Sequence, residues 1–215
     1  SLTLRWFAEL GQQRIVMVAV RHSLLVAALT GVLAPALGLL AAMAARELRM
    51  ARAVMLLMLL PLFIPGVSMG LADAFLFRQL ELRPSLLTVA VVNVLWALPF
   101  AFLIILTAMA GFDPVYLEAA YLHGANRWRA FVTVELPLIA PGLSGAALFS
   151  VILSFNETVR TALVQGPMNT VQTYIWATYR QVGLSPAMYA LMSLLILLTL
   201  GLVLAMLVLA YRATR

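Results

Sequence analysis

Two groups of polar side chains in this 215-residue chain could meet a ligand or a partner. The first is Ser154, Asn156, Glu157 and Thr158, with Asn93 and Trp96 upstream, set in or at the end of long apolar stretches. Polar groups kept in an apolar setting are functional candidates by default, so Asn93, Trp96, Ser154, Asn156 and Glu157 are read as candidate ligand contacts. Glu157 leaves two alternatives open. Facing a cavity, its carboxylate suits a cation; three residues from Arg160 on one helical face, it forms an ion pair at the end of a span. The second group is the segment from Asp113 to Pro137. Neither group is equipped to make or break covalent bonds, because the chain has no phosphate-binding P-loop, no zinc-ligand spacing and no nucleophile beside a base. No cysteine is present, and His22 and His123 stand too far apart in sequence to suggest a metal site. The catalytic and metal sets are therefore empty.

What must position these residues follows from composition. Apolar residues make up 64% of the chain and charged ones 10%, with a mean hydropathy of +1.04. Soluble proteins have roughly 45–50% apolar residues, so the solvent for most of this chain is lipid. A helical span needs about 20 mostly apolar residues. Five such segments lie near residues 23–45, 53–72, 86–110, 139–158 and 187–211. The reading is an all-α integral membrane protein with five transmembrane helices in one domain, 1–215.

Pro35, Pro61, Pro65 and Pro99 fall inside these spans and predict kinks. Gly31, Gly38, Gly66, Gly70, Gly142 and Gly145 predict close helix packing. Eleven methionines read as packing residues. Residues 1–20 mix Leu2, Leu4, Trp6, Phe7 and Leu10 with Arg5, Glu9, Gln12, Gln13 and Arg14, the pattern of a helix lying in the membrane interface. No cleavable signal peptide precedes it, and a missing first helix is the expectation.

All fourteen basic residues are arginine. They are dispersed, with no basic stripe interleaved with aromatics, so nucleic acid is not a partner. They also fail to orient the chain. With residues 111–138 inside, Arg46, Arg49, Arg52, Arg127, Arg129, Arg212 and Arg215 are inside, and Arg5, Arg14, Arg21, Arg78, Arg83, Arg160 and Arg180 are outside. The positive-inside rule is silent at that balance, although Arg46, Arg49 and Arg52 in a short turn lean towards the cytoplasm.

The segment 111–138 is too polar to span and too well punctuated to be disordered. Asp113-Pro114 reads as a helix start, Gly124 as a left-handed helix end, and Asn126 as the cap of a second short helix that Leu136-Pro137 closes. Two short helices then meet at a glycine elbow, with Val115, Ala119, Leu122, Trp128, Phe131 and Val132 offering apolar surface outside the bilayer. Such surface implies a partner.

Glu118-Ala119-Ala120, then Gly124 after three residues, then Val134 and Leu136-Pro137 after nine more, resembles the EAA loop of binding-protein-dependent ABC importer permeases. Val134 stands where isoleucine is common. Ile64-Pro65-Gly66, Ala97-Leu98-Pro99-Phe100 and Ile152 to Arg160 are similar to the polyamine-type (spermidine/putrescine-like) branch. The resemblance implies a type I importer permease fold in the bacterial inner membrane, usually of six spans. It places 111–138 in the cytoplasm and 1–20 on the periplasmic side. It further implies that Glu118, Ala119, Ala120, Gly124, Ala125, Arg127, Trp128, Phe131, Leu136 and Pro137 form coupling helices docking on an ATPase.

The implied partners are two ABC ATPase subunits, a second permease, identical or homologous, and a periplasmic substrate-binding protein. ATP and magnesium belong to the partners, and this chain needs no cofactor. The solute is a polyamine or similar cation, with iron(III), a phosphonate, an opine or thiamine as alternatives. A secondary transporter is the competing class, but it calls for repeat symmetry that the sequence does not show. A membrane scaffold using the same loop for another partner is a further alternative.

Overall fold

The computed structural model describes residues 5–48 and 50–213, and every regular element among them is helical. α1 (Arg5–Gln12) is a short amphipathic helix that buries Leu10. The chain breaks at Gln13, and α2 (Arg14–Glu47) runs for 34 residues. An interfacial segment over 1–20 and a span beginning at 23 were expected. Residues 14–22 instead form the first turns of α2, because Val16, Ala19, Ser23 and Val26 continue its buried stripe at helical spacing while Arg14 and Arg21 stay exposed. Residues 1–4 lie outside the described ones. At 1.5 Å per residue α2 is about 50 Å long, well beyond the roughly 30 Å hydrocarbon core. Its far end, carrying Arg46 and Glu47, therefore projects past the membrane.

The second span is broken where a kink was expected. α3 (Ala51–Leu59) tightens into a 3₁₀ turn at Leu60–Phe63, Ile64 is extended, and α4 (Gly66–Gln79) leaves at 103°. Pro65 lacks a donor and sterically drives the preceding residue out of the helical region, so the chain cannot carry a helix through Ile64. This bent pair is either one crossing or a re-entrant hairpin. Among the described residues four other helices are long and apolar enough to cross: Arg14–Glu47, Leu86–Ala110, Arg127–Asn156 and Pro186–Val208.

α5 (Leu86–Ala110) is opened by a Ser85–Thr88 capping box and occupies the centre of the bundle. It packs against α2 and α8 (Leu136–Asn156) through Ala34, Ala42, Ala97, Ala101, Phe102 and Ala146, all buried. Small residues bring these backbones together in place of a hydrophobic drive, which lipid cannot supply. Pro35 and Pro99 are buried in helices that run through them uninterrupted.

Two glycines of α8 give a paired test. A Cβ on Gly142 would overlap the Ala108 methyl of α5, whereas one on Gly145 meets nothing within 4 Å. Gly142→Ala should therefore lower the thermal midpoint of the purified protein, with overpacking costing about 1–3 kcal/mol. Gly145→Ala should leave the midpoint unchanged or raise it, since alanine is the better helix former by about 0.5–1 kcal/mol.

Between α8 and α11 (Pro186–Ala213) lie α9 (Val159–Val164) and α10 (Val171–Val182). α10 starts with a Thr170–Thr173 capping box and is pinned to α2, where Ser23 Oγ accepts from Val171 N at 2.9 Å and His22 Nδ1 meets the Asn169 carbonyl at 3.0 Å. α11 packs on α8 and α1 and leaves most of its apolar surface outward, as a helix facing lipid does.

Candidate functional site

The loop after α5 forms α6 (Val115–Leu122) and α7 (Arg127–Ala130). Asp113 Oδ1 accepts from Val115 N at 3.0 Å, capping α6. Gly124, at φ +83°, ends it in the left-handed region, and Gly124 N and Ala125 N donate back to the Tyr121 and Ala120 carbonyls. Asn126 Oδ1 accepts from Arg129 N at 2.8 Å and caps α7.

Leu136-Pro137 does not close this second helix, as had been expected. α7 passes through a π turn, Phe131–Glu135, directly into α8, so one continuous rod runs from Arg127 to Asn156. The wider π turn resets the hydrogen-bond register and absorbs the donor that Pro137 lacks at the second position of α8. The rod therefore links the loop mechanically to a span.

Leu122 is 88% exposed and Trp128 72%, and Val115, Tyr116, Tyr121, Glu118, Ala119, Gly124 and Arg127 are exposed as well. Ala120, Ala125, Phe131 and Leu136 are half-buried and support that face, while Pro137 is exposed on α8. The rings of Trp128 and Phe131 lie 5.9 Å apart. Behind the face, a cavity of about 630 Å³ separates the loop from the ends of α2 and α5 and is lined by Met43, Met109, Phe112, Leu117, Tyr121 and Trp128 among others.

Two ion pairs tie the loop to the projecting end of α2. Arg46 binds Glu135 through both terminal nitrogens, Nη1 to Oε1 and Nη2 to Oε2, the latter at 3.2 Å. Arg127 Nη2 meets Glu47 Oε2 at 2.9 Å. Glu135 is only 1% exposed, so Arg46 is the partner that compensates its burial. The sequence reading missed Glu135. Its one signal was a carboxylate beside the Leu136-Pro137 step, and the partner lies 89 residues away. Arg49, taken with Arg46 and Arg52 as a topology marker, lies outside the described residues.

The solute candidates converge only in part. Glu157 and Arg160 are 6% and 7% exposed and form a buried pair, with Arg160 Nη1 to Glu157 Oε2 at 2.7 Å and Arg160 N to Oε1 at 2.8 Å. This is the ion-pair alternative, but inside the protein and not at a surface. The Arg160 guanidinium also lies 3.8 Å from the centre of the Trp96 ring, a cation–π contact. Asn93, 1% exposed, donates to Thr161 Oγ1 at 3.0 Å. Asn93, Trp96 and Glu157 thus gather round the start of α9, and Ser154 lies one turn before, its carbonyl accepting from Glu157 N. Asn156 turns elsewhere, into an apolar cavity with Gln172, Met192 and Thr199.

Gly66 and Gly70 of α4 let this cluster close. A Cβ on Gly66 would stand 3.2 Å from the Arg160 guanidinium, and one on Gly70 3.1 Å from Arg160 Cα. One helical turn beyond Gly70 is Asp73, which the sequence reading also missed.

A multi-span bundle with an apolar, capped loop on a projecting rod and a buried polar cluster among its broken helices has the form of a membrane transport component. The chain belongs to the family described as "Binding-protein-dependent transport system inner membrane component", whose model matches residues 34–214. It is a multi-pass inner-membrane permease of that family. It is 26% identical over 207 residues to the spermidine/putrescine transport system permease protein PotC of Escherichia coli (strain K12), covering 95% of this chain and 78% of that one. Over 201 residues it is 28% identical to the putrescine transport system permease protein PotI of the same strain, covering 89% and 72%. Among solved structures, a bacterial alginate ABC transporter in complex with an alginate pentasaccharide-bound periplasmic protein matches with a TM-score of 0.69 at 18% identity. That match covers 100% of this chain and 84% of the other, and it establishes the shared fold.

Proposed function

We propose that this permease forms half of a translocation pathway for a small organic cation of the polyamine class, delivered by a periplasmic binding protein and driven by two ATPase subunits that dock on residues 113–137. The observation that carries the docking role is the exposed apolar face of Leu122 and Trp128 on two capped helices. Leu122 lies in the loop after α5 and Trp128 in the first turn of the rod Arg127–Asn156, which at 30 residues is about 45 Å long and outruns the roughly 30 Å hydrocarbon core, so no lipid would cover a face at that end. Nucleotide-driven closure of the ATPases would displace α6 and α7, and the rod from Arg127 to Asn156 would carry that displacement to the polar cluster at its far end. Rigid-body alternation between two states then follows. The cationic solute is favoured by the relatives PotC and PotI, whose names specify spermidine and putrescine. In this scheme 111–138 is cytoplasmic and α1 periplasmic, ATP and magnesium stay on the partners, and the second permease is identical or homologous.

The test is reconstitution of the chain with its partner subunits in proteoliposomes. Loaded binding protein should stimulate ATP hydrolysis and drive labelled putrescine inward. Uptake that follows an ion gradient and ignores ATP would instead establish a secondary transporter.

A further inference from the structure

We infer that Asp73 is the anionic ligand for a protonated amine in the buried cluster around Arg160, a role that Glu157 cannot fill. This rests on the reading of the solute as a small organic cation.

The charges come first. Asp73, Glu157 and Arg160 are ionisable groups on elements packed together, and Asp73 lies within electrostatic reach of Arg160. Gly66, Gly70 and Asp73 recur at helical spacing on α4, and the two glycines meet Arg160 directly, which turns this stripe towards α9. Glu157 spends both oxygens on Arg160, one on its backbone N–H and one on its guanidinium. Two carboxyl groups face one guanidinium, and Asp73 is the one with which Arg160 forms no ion pair.

The hydrogen bonds point the same way. The buried side-chain atoms left without a partner among the described residues are Asp73 Oδ2, Asn93 Oδ1, Ser154 Oγ and Arg160 Nε. All four belong to this cluster or the turn beside it. Buried polar atoms are rarely left unpaired, so a concentration of them marks the place of something that pairs them. Two of the four are pure acceptors and a third, a hydroxyl, can accept. A primary ammonium brings three donors and one positive charge, which matches three acceptors and a carboxyl group outside the Arg160 ion pair. An anionic solute finds one free donor there against three acceptors.

Arg160 gives the site its second property. Its guanidinium lies over Trp96 and against Glu157, the surroundings an organic cation would itself select. Arg160 is thus a tethered cation that occupies Glu157 and leaves Asp73 as the carboxyl group with an unpartnered oxygen.

The test uses the assembled importer in proteoliposomes, with labelled putrescine as probe and binding-protein-stimulated ATP hydrolysis as a second readout. Asp73→Asn should lower putrescine uptake at least about tenfold, the value of one charge-assisted hydrogen bond, while stimulated hydrolysis persists; Asp73→Glu should keep most of the uptake. Unchanged uptake in Asp73→Asn overturns the role of Asp73 and leaves the cationic-solute reading standing. Wild-type protein that hydrolyses ATP on binding-protein addition but moves no putrescine overturns that reading and the amine site with it. Should Asp73→Asn fail to assemble, Ser154→Cys decides, since this chain has no other cysteine. Putrescine should slow its modification by a charged thiol reagent, and a rate indifferent to putrescine would contradict the site.

Discussion

Replacing Arg46 by alanine should damage this permease more than replacing Glu135 by glutamine, although both changes remove the same ion pair. The side chain of Glu135 is 2% exposed and that of Arg46 38%. Without Arg46, a carboxylate is left buried and unpaired, at a cost of about 3–5 kcal/mol. Without the Glu135 charge, Arg46 turns to water, and the neutral amide still hydrogen-bonds; the cost is about 1 kcal/mol. The double variant should recover most of what Arg46→Ala loses. Thermal midpoints of the purified complex measure the order, and if the loop docks the ATPase as proposed, binding-protein-stimulated ATP hydrolysis should fall in parallel, because the pair fixes the end of α2 to the π turn at the base of the α6–α7 loop. Equal losses in the two single variants would mean that Glu135 is not buried in the working protein.

Trp128→Ala should leave the isolated permease as stable as before and cost about 2–4 kcal/mol of ATPase binding, roughly 30- to 1,000-fold in affinity. The ring is 72% exposed and lies tilted against Phe131 outside the helix bundle, so its removal opens no cavity in the bundle. A large aromatic on a small capped helix is the usual anchor of an interface, and its area counts only when a partner covers it. The change should therefore appear in co-purification and stimulated hydrolysis and not in the melting of the chain alone. A lowered melting point with undiminished co-purification would make Trp128 a packing residue of the loop.

How far these features could be read from the sequence depended on how local their causes are. α5 matched the expected 86–110, because an unbroken apolar run bounded by Ser85 and Gly111 needs no tertiary information. The elbow was legible for the same reason: Gly124 and Asn126 act within four residues of themselves. Gly124 has the positive φ expected of a left-handed helix end. A side chain there would meet nothing within 4 Å, so the demand is for positive φ and not for space.

Breaks were harder. Pro65 announced a disturbance, but whether a helix bends or stops depends on what receives the freed carbonyls, and that is set by neighbouring helices. Pro137 announced a stop that the π turn removed. Ser154, Asn156 and Glu157 looked like one polar group, yet α8 ends at Asn156 and Glu157 is extended at φ −79°, ψ 119°, which turns it away from its neighbour towards Arg160. Helical periodicity cannot describe a residue one place beyond the helix. The pairs that hold the two sites, Arg46 with Glu135 and Arg160 with Trp96, join residues far apart in the chain. Charge spacing along one helix gives no sign of them.

The absence of cysteine from this chain makes one measurement decisive. Leu122→Cys places a single thiol of this chain at the tip of α6, on a side chain 88% exposed, and Val182→Cys places one at the far end of α10, 80% exposed. In native membranes holding the assembled transporter, a short bifunctional thiol reagent should join Leu122→Cys to the ATPase subunit, in proportions that change when nucleotide is added, and should leave Val182→Cys unjoined to it. Equal cross-linking of both positions, or none from Leu122→Cys in a complex that still hydrolyses ATP, would contradict docking through this loop.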